Sequence, residues 1–210
     1  FTADAIAAIN YMTMMRQRGV NIRVANLSWG STDSSRFLER AITDAGAAGI
    51  LVVASAGNSG VDQDGASSPN YPSGFAAENI LAVAATDNRD RLATDSNYGL
   101  TRVDLGAPGV GILSTVPGRG YAVNSGTSFA TPFVSGVAAL AVSVNPNLTV
   151  TELRQAIIAG VEPVPSLSSK TASGGRLNAA QTLSLVIRND PSYTGREYLT
   201  VPAGETLVDS

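Results

Sequence analysis

The chain contains no histidine and no cysteine. Without cysteine, disulfides and thiolate metal sites are excluded. Without histidine, the usual general base near neutral pH and the commonest metal ligand are both missing, so a self-contained serine–histidine hydrolase is not encoded in these 210 residues. Any partner base has to come from elsewhere. Aromatic residues make up only 6%, which leaves the core to aliphatic side chains. Charge of one sign is scarce too: 14 lysines and arginines stand against 17 acids, a net charge of -3. That balance gives no footprint for nucleic acid and no basic face for a membrane. The longest apolar run falls short of the ~20 residues of a membrane span, and no basic segment followed by an apolar one opens the chain.

What is present suits one α/β unit: 210 residues at 44% hydrophobic content can bury a sizeable core. Ile6, Ile9, Met12 and Met14 recur at roughly helical spacing over residues 2–18, and Gly19 follows as a stop. Residues 21–27 form a short apolar run that ends in Ser28-Trp29-Gly30-Ser31, as a buried strand followed by a loop would. Over 34–48, Phe37, Leu38, Ala41, Ile42 and Ala45 share one face opposite Arg36, Glu39, Arg40 and Asp44, an amphipathic helix that Gly49 stops. The aliphatic runs 50–55 and 80–86 suit strands covered on both faces, and strand–helix–strand predicts a parallel crossover. A short strand is expected at 103–105, and helices over 128–144, 149–160 and 175–187. The expected fold class is therefore α/β, a three-layer α/β/α arrangement around a mostly parallel sheet. Past Arg188 the pattern turns to Pro, Tyr, Gly and alternating residues, so 1–187 is read as one unit and 188–210 as a linker or the start of a β-rich module.

Two segments carry chemistry. Gly126-Thr127-Ser128-Phe129-Ala130-Thr131-Pro132 places a hydroxyl at the start of a helix among residues small enough to admit a substrate. A helix amino terminus presents unpaired N–H groups and partial positive charge, which suit negative charge developing on a carbonyl oxygen under attack by Ser128. Pro132 is expected in the first turn, where its missing N–H leaves little unmade. Ala54-Ser55-Ala56-Gly57-Asn58-Ser59-Gly60 closes a strand at its carboxyl end, the side where open parallel sheets collect ligands. The Asn58 amide is a neutral donor able to meet an oxyanion without titrating. Ser28, Trp29 and Gly30 end the neighbouring strand at the same edge, where backbone can pair with an extended peptide. A serine at a helix start ordinarily serves as a cap. What sets Ser128 apart is the segment around it and the asparagine upstream. Trp29, the sole tryptophan, reads equally as core filler or subsite wall.

The glycine-threonine-serine-x-alanine-x-proline segment resembles the nucleophile motif of the subtilisin-like serine proteases, and Ala56-Gly57-Asn58 resembles their oxyanion motif. In order along the chain, Ser28-Trp29-Gly30 is similar to that family's substrate-binding strand, Tyr71-Pro72 to a segment beside its specificity pocket, and Ala107-Pro108-Gly109 to the turn before the nucleophile. Gly175-Arg176-Leu177-Asn178-Ala179-Ala180 is similar to its closing helix. The resemblance implies a serine endopeptidase acting through an acyl-enzyme on Ser128, with Asn58 and the Ser128 N–H as oxyanion donors. Ser28, Trp29, Gly30, Ser55, Ala56 and Gly57 would then bind a peptide or protein substrate outside the cell. No cofactor is required. The family often binds structural calcium, and Asp62, Asp64, Asp87, Asp90 and Asp95 are the loop carboxylates available for it.

One departure matters. In the family, the aspartate and histidine of the triad come from a strand and a helix ahead of everything seen here, so the resemblance implies a carboxyl-terminal portion of the peptidase domain that is inactive alone and partnered by the missing amino-terminal part. Phe133 stands where relatives often carry a noncatalytic histidine. The alternative of another class is a noncatalytic structural or binding module that keeps the fold. The related serine-carboxyl peptidases are a third candidate, but their oxyanion residue is an aspartate and Asn58 argues against them.

Overall fold

The structure is a computed structural model that describes residues 2–67 and 69–188. The β-rich module expected beyond residue 188 lies outside the described residues. In chain order the elements are α1 (Thr2–Gln17), β1 (Val24–Leu27), α2 (Arg36–Ala47), β2 (Leu51–Ser55), β3 (Ile80–Thr86), β4 (Leu105–Pro108), β5 (Ile112–Val116), β6 (Gly120–Asn124), α3 (Thr127–Val144), α4 (Val150–Ala159), β7 (Glu162–Pro163), β8 (Gly175–Arg176) and α5 (Ala179–Arg188).

One sheet runs in the order β1-β2-β3-β4-β8-β7, parallel from β1 through β8 and antiparallel only at β7. Strand alternation divides its side chains between two layers. Val52, Ala54 and Ile80 point into a core shared with Ile9 of α1 and with Leu38, Ala41, Ile42 and Ala45 of α2. Leu51, Val53, Leu81, Val83 and Leu105 point the other way, against Ala130, Val134, Ala138 and Ala141 of α3, Leu153 and Ile157 of α4 and Val186 of α5. The three-layer expectation holds. Residues 51–54 are wholly buried, and each valine or leucine among them contributes roughly 1.5–3 kcal/mol by leaving water.

Local chemistry sets the helix ends. Ser35 Oγ accepts from Leu38 N–H at 3.3 Å to cap α2. Thr149 caps α4 through a capping box with Glu152. The helix α3 holds no charged residue along its 18 positions, which suits a segment laid across β1, β2, β3 and β4 with its inner face buried.

Two expectations need correction. The strand near residue 103 lies instead at Leu105–Pro108. Asp104 Oδ2 accepts from Ala82 N–H at 2.7 Å and fixes the approach to that strand. The helix expected over 175–187 begins only at Ala179, because Gly175 and Arg176 form β8 and Asn178 Oδ1 caps the helix by accepting from Gln181 N–H at 3.0 Å. A side chain at position 175 would place its Cβ 2.4 Å from Val161 Cγ2, so only glycine fits that crossing. The hairpin of β5 and β6 was not among the expected elements. Its signal is the Pro117-Gly118 turn between two runs of five residues.

Candidate active site

The carboxyl ends of β1 and β2 and the amino end of α3 meet at one place. Ser28 and Ser128 join the first to the last. Ser128 Oγ donates to the Ser28 carbonyl at 2.8 Å, and Ser28 Oγ donates to the Ser128 carbonyl at 2.8 Å. Pro132 explains why the second bond exists. It sits inside α3, beyond the first turn where the sequence had suggested it. Lacking an N–H, it cannot serve the carbonyl four residues back, which is that of Ser128. The Ser28 hydroxyl fills the vacancy.

Gly126 enters the helix at φ 141°, a conformation that side-chain-bearing residues rarely adopt, and it carries no side-chain cap. The cap comes instead from the turn that follows β2. Asn58 Oδ1 accepts from Thr127 N–H at 2.8 Å and from Thr127 Oγ1 at 2.9 Å. That arrangement assigns the amide: its oxygen faces the helix, so its NH2 faces away, and no described residue takes it up. A neutral, uncommitted donor thus stands beside the start of α3 on an exposed residue. The sequence offers the amide as a donor but does not show the cap.

Asn97 was missed altogether. It is buried, and its Nδ2 donates to the Ala56 carbonyl at 2.9 Å while its Oδ1 accepts from Ser59 and Val61 N–H at 3.0 and 3.2 Å. Its own N–H donates to the Gly57 carbonyl at 2.9 Å. One side chain therefore stitches both sides of the turn that presents Asn58. Gly57 is at φ 104°, and a Cβ there would lie 2.3 Å from Asn97 Nδ2, so the turn and the asparagine require each other. Nothing in the polar stretch 87–99 marks Asn97 out by sequence.

The other sequence-predicted residues divide. The backbones of Ser55, Ala56 and Gly57 are engaged within the protein: Asn70 Nδ2 donates to the Ser55 carbonyl at 3.0 Å, Ala56 N–H to Val83 at 3.0 Å and Gly57 N–H to Thr127 Oγ1 at 3.2 Å. They can offer a wall but few hydrogen bonds. Trp29 is half-buried and packs on the core beneath α1 and α2. Gly30 is exposed, its N–H and C=O take no hydrogen bond from described residues, and a Cβ there would meet Asn70 Oδ1 at 2.4 Å. The strip ends where Ser31 and Tyr71 exchange backbone bonds of 2.9 and 2.7 Å.

No ionisable group bonds the Ser128 hydroxyl among the described residues. The aspartates considered for calcium have protein partners or stand apart. Asp64 accepts from Thr101 N–H and Oγ1, Asp62 from Asp64 N–H, and Asp90 pairs with Arg176 at 3.2 Å. Hydrogen bonds from the Arg91 backbone and then its side chain bring Asp87 down to about 2. No three His, Cys, Asp or Glu side chains gather as a metal site among the described residues.

The subtilase family model matches residues 2–181. The chain belongs to the subtilase family. It is 47% identical over 133 residues to alkaline elastase YaB of Bacillus sp. (strain YaB), covering 63% of this chain and 33% of that protein. Subtilisin BL and subtilisin Savinase of Lederbergia lenta are 47% and 46% identical over 133 residues, 46% of each protein. This subtilase chain thus spans half or less of the length of those curated relatives. Among solved structures, the prenylagaramide maturation protease PagA superposes with a TM-score of 0.72 at 27% identity, over 89% of this chain and 68% of that one. A protease from Pseudoalteromonas arctica superposes with a TM-score of 0.69 at 28% identity, over 78% of this chain and 51% of that one.

Proposed function

We propose that this subtilase chain is the nucleophile-bearing part of a serine endopeptidase of the subtilisin kind. The observation that carries the reading is the coupling of Asn58 to α3: one amide caps Thr127, the residue before Ser128, with its oxygen and keeps its NH2 open. In the reaction, Ser128 Oγ bonds to the scissile carbonyl carbon while its proton passes to a base. The carbonyl oxygen becomes negative between the Asn58 NH2 and the Ser128 N–H, which bind it most strongly at that moment. Collapse breaks the C–N bond, the departing amine takes the proton, and water then hydrolyses the ester by the same route. A serine, two neutral donors and an imidazole suffice, so this chemistry requires no cofactor.

The base is a histidine from outside these 210 residues, oriented by an aspartate also outside them, since the chain holds no imidazole. Two surfaces support a covering polypeptide. Among the described residues β1 pairs only with β2 and so forms the sheet edge. Between that edge and α3 runs a groove of about 450 Å³ lined by Ile22, Val24, Ala139 and Val142, and the outer face of α3 exposes Phe133, Leu140 and Val144. The acyl part of a peptide would lie along Ser28, Trp29 and Gly30, with Ser55, Ala56 and Gly57 as the facing wall. A site of action outside the cell is proposed on the likeness to the bacterial subtilisins.

A noncatalytic module is the second reading. The Ser128 hydroxyl donating to the Ser28 carbonyl favours it for the chain by itself, because a carbonyl accepts a hydrogen bond but cannot act as general base. A fluorophosphonate probe separates the two. The first reading expects labelling at Ser128 in the full-length protein and none in the isolated 210 residues; an unlabelled full-length protein would support the second.

A further inference from the structure

The sheet order β1-β2-β3-β4 gives the site two flanks around Asn58. On the β1 flank lie Ser28, Trp29 and Gly30. On the β3 and β4 flank opens a cavity of about 570 Å³ whose lining includes Asp87, Arg91, Thr94, Asp95, Val110 and Ser125. It adjoins the machinery on both sides. Gly60 N–H, two residues past Asn58, donates to the Asp95 carbonyl at 2.8 Å. Gly111 N–H donates at 3.0 Å to the hydroxyl of Ser125, three residues before Ser128.

The charges in this cavity are not equivalent. Arg91 places Nε on Asp87 Oδ2 at 2.7 Å and a second guanidinium nitrogen on the same oxygen at 2.7 Å. Asp87 Oδ1 takes the N–H groups of Arg89 and Arg91 at 2.9 Å each. That pair is neutral overall. The Asp95 carboxylate is exposed and forms no hydrogen bond or ion pair with described residues. The cavity therefore carries one uncompensated negative charge beside the partly exposed apolar side chain of Val110.

We propose that this cavity receives a side chain from the leaving-group side of the scissile bond and that Asp95 makes it select lysine or arginine there. The inference rests on the endopeptidase reading above. If the acyl part occupies the β1 flank, the chain beyond the cleaved bond leaves toward β3 and β4. Lysine and arginine combine an apolar stem, which covers Val110, with a cationic head that reaches the carboxylate. A glutamate there meets like charge, and the Arg91 charge is already balanced by Asp87.

The test uses the full-length protein and internally quenched peptides that differ only in the first two residues after the cleaved bond, which are lysine, arginine, alanine or glutamate. The expected kcat/KM for lysine or arginine exceeds that for glutamate by about tenfold, with alanine between them, and the ratio narrows as salt screens the exposed charge. Asp95→Asn should shrink the ratio to about twofold, and Asp95→Lys should invert it. A ratio untouched by Asp95→Asn, or a preference for glutamate in the parent, overturns the assignment while leaving the endopeptidase reading intact. If no peptide in the series is cleaved, that reading falls and takes this one with it.

Discussion

Ser28 and Ser128, 100 positions apart, each donate a hydroxyl hydrogen bond to the other's carbonyl oxygen. The pair ties the end of β1 to the first turn of α3 at the point where Pro132 removes the helical partner of the Ser128 carbonyl. Ser28→Ala in the full-length protein should therefore leave that carbonyl unpaired and cost about 1–2 kcal/mol. In a Pro132→Ala background a backbone N–H becomes available to it, and the same substitution should cost measurably less. Urea unfolding of the four proteins reads the difference. Strict additivity would show that the two residues do not serve the same oxygen.

Asn97 should act through the turn that presents Asn58. Asn97→Ala strips partners from the Ala56 carbonyl and from Ser59 and Val61 N–H; a loss of about 2–3 kcal/mol in stability is expected. In the full-length protein the rate should fall through kcat, with KM little changed, because Asn58 is displaced while the β1 flank is untouched. An unchanged kcat in the folded variant would mean that the turn holds without it.

The Asp87–Arg91 pair makes a prediction about acid. Its carboxyl, held at about 2 against about 3.9 in an unfolded chain, favours folding fully above pH ~4, and that contribution is lost as pH falls through about 2. Carboxyl chemical shifts followed from pH 5 to 1.5 should place the Asp87 midpoint near the lower value, and Arg91→Ala should raise it. A midpoint near 4 in the parent would contradict the geometry and free Arg91 to compete with Asp95.

An uncovered β1 edge is a template for another strand. The isolated chain should therefore self-associate unless the proposed covering polypeptide is present, with amide exchange slowed over residues 24–27 in the complex. Light scattering showing a monodisperse, cooperatively folded monomer with freely exchanging 24–27 would show that the edge needs no cover.

Much of this was legible because periodicity and burial coincide. The runs holding Leu51 and Ile80, covered on both faces, and the stripe of Leu38, Ala41, Ile42 and Ala45 mark their elements directly. The motif around Ser128 carried its own helix start. Harder were features that depend on distant partners. Pro132 reads as harmless until Ser28 is seen beneath it, and Asn178 stops a helix that composition alone extends back to Gly175. Asn97 is one polar residue in a polar loop, and only the fold brings it to the turn at Asn58. The orientation of the Asn58 amide also required the structure, since a sequence motif does not say which amide atom faces the helix.

The central claim is that Asn58 supplies the oxyanion donor with one atom and caps α3 with the other, and Asn58→Asp separates these roles. The aspartate keeps an acceptor for Thr127 and loses the donor. Measured in the full-length protein, Asn58→Asp should hold stability within about 1 kcal/mol of the parent, while kcat for a peptide substrate falls on the order of 100- to 1000-fold, the loss known for such a donor in a subtilisin. A folded Asn58→Asp protein with kcat within about twofold of the parent would contradict the account.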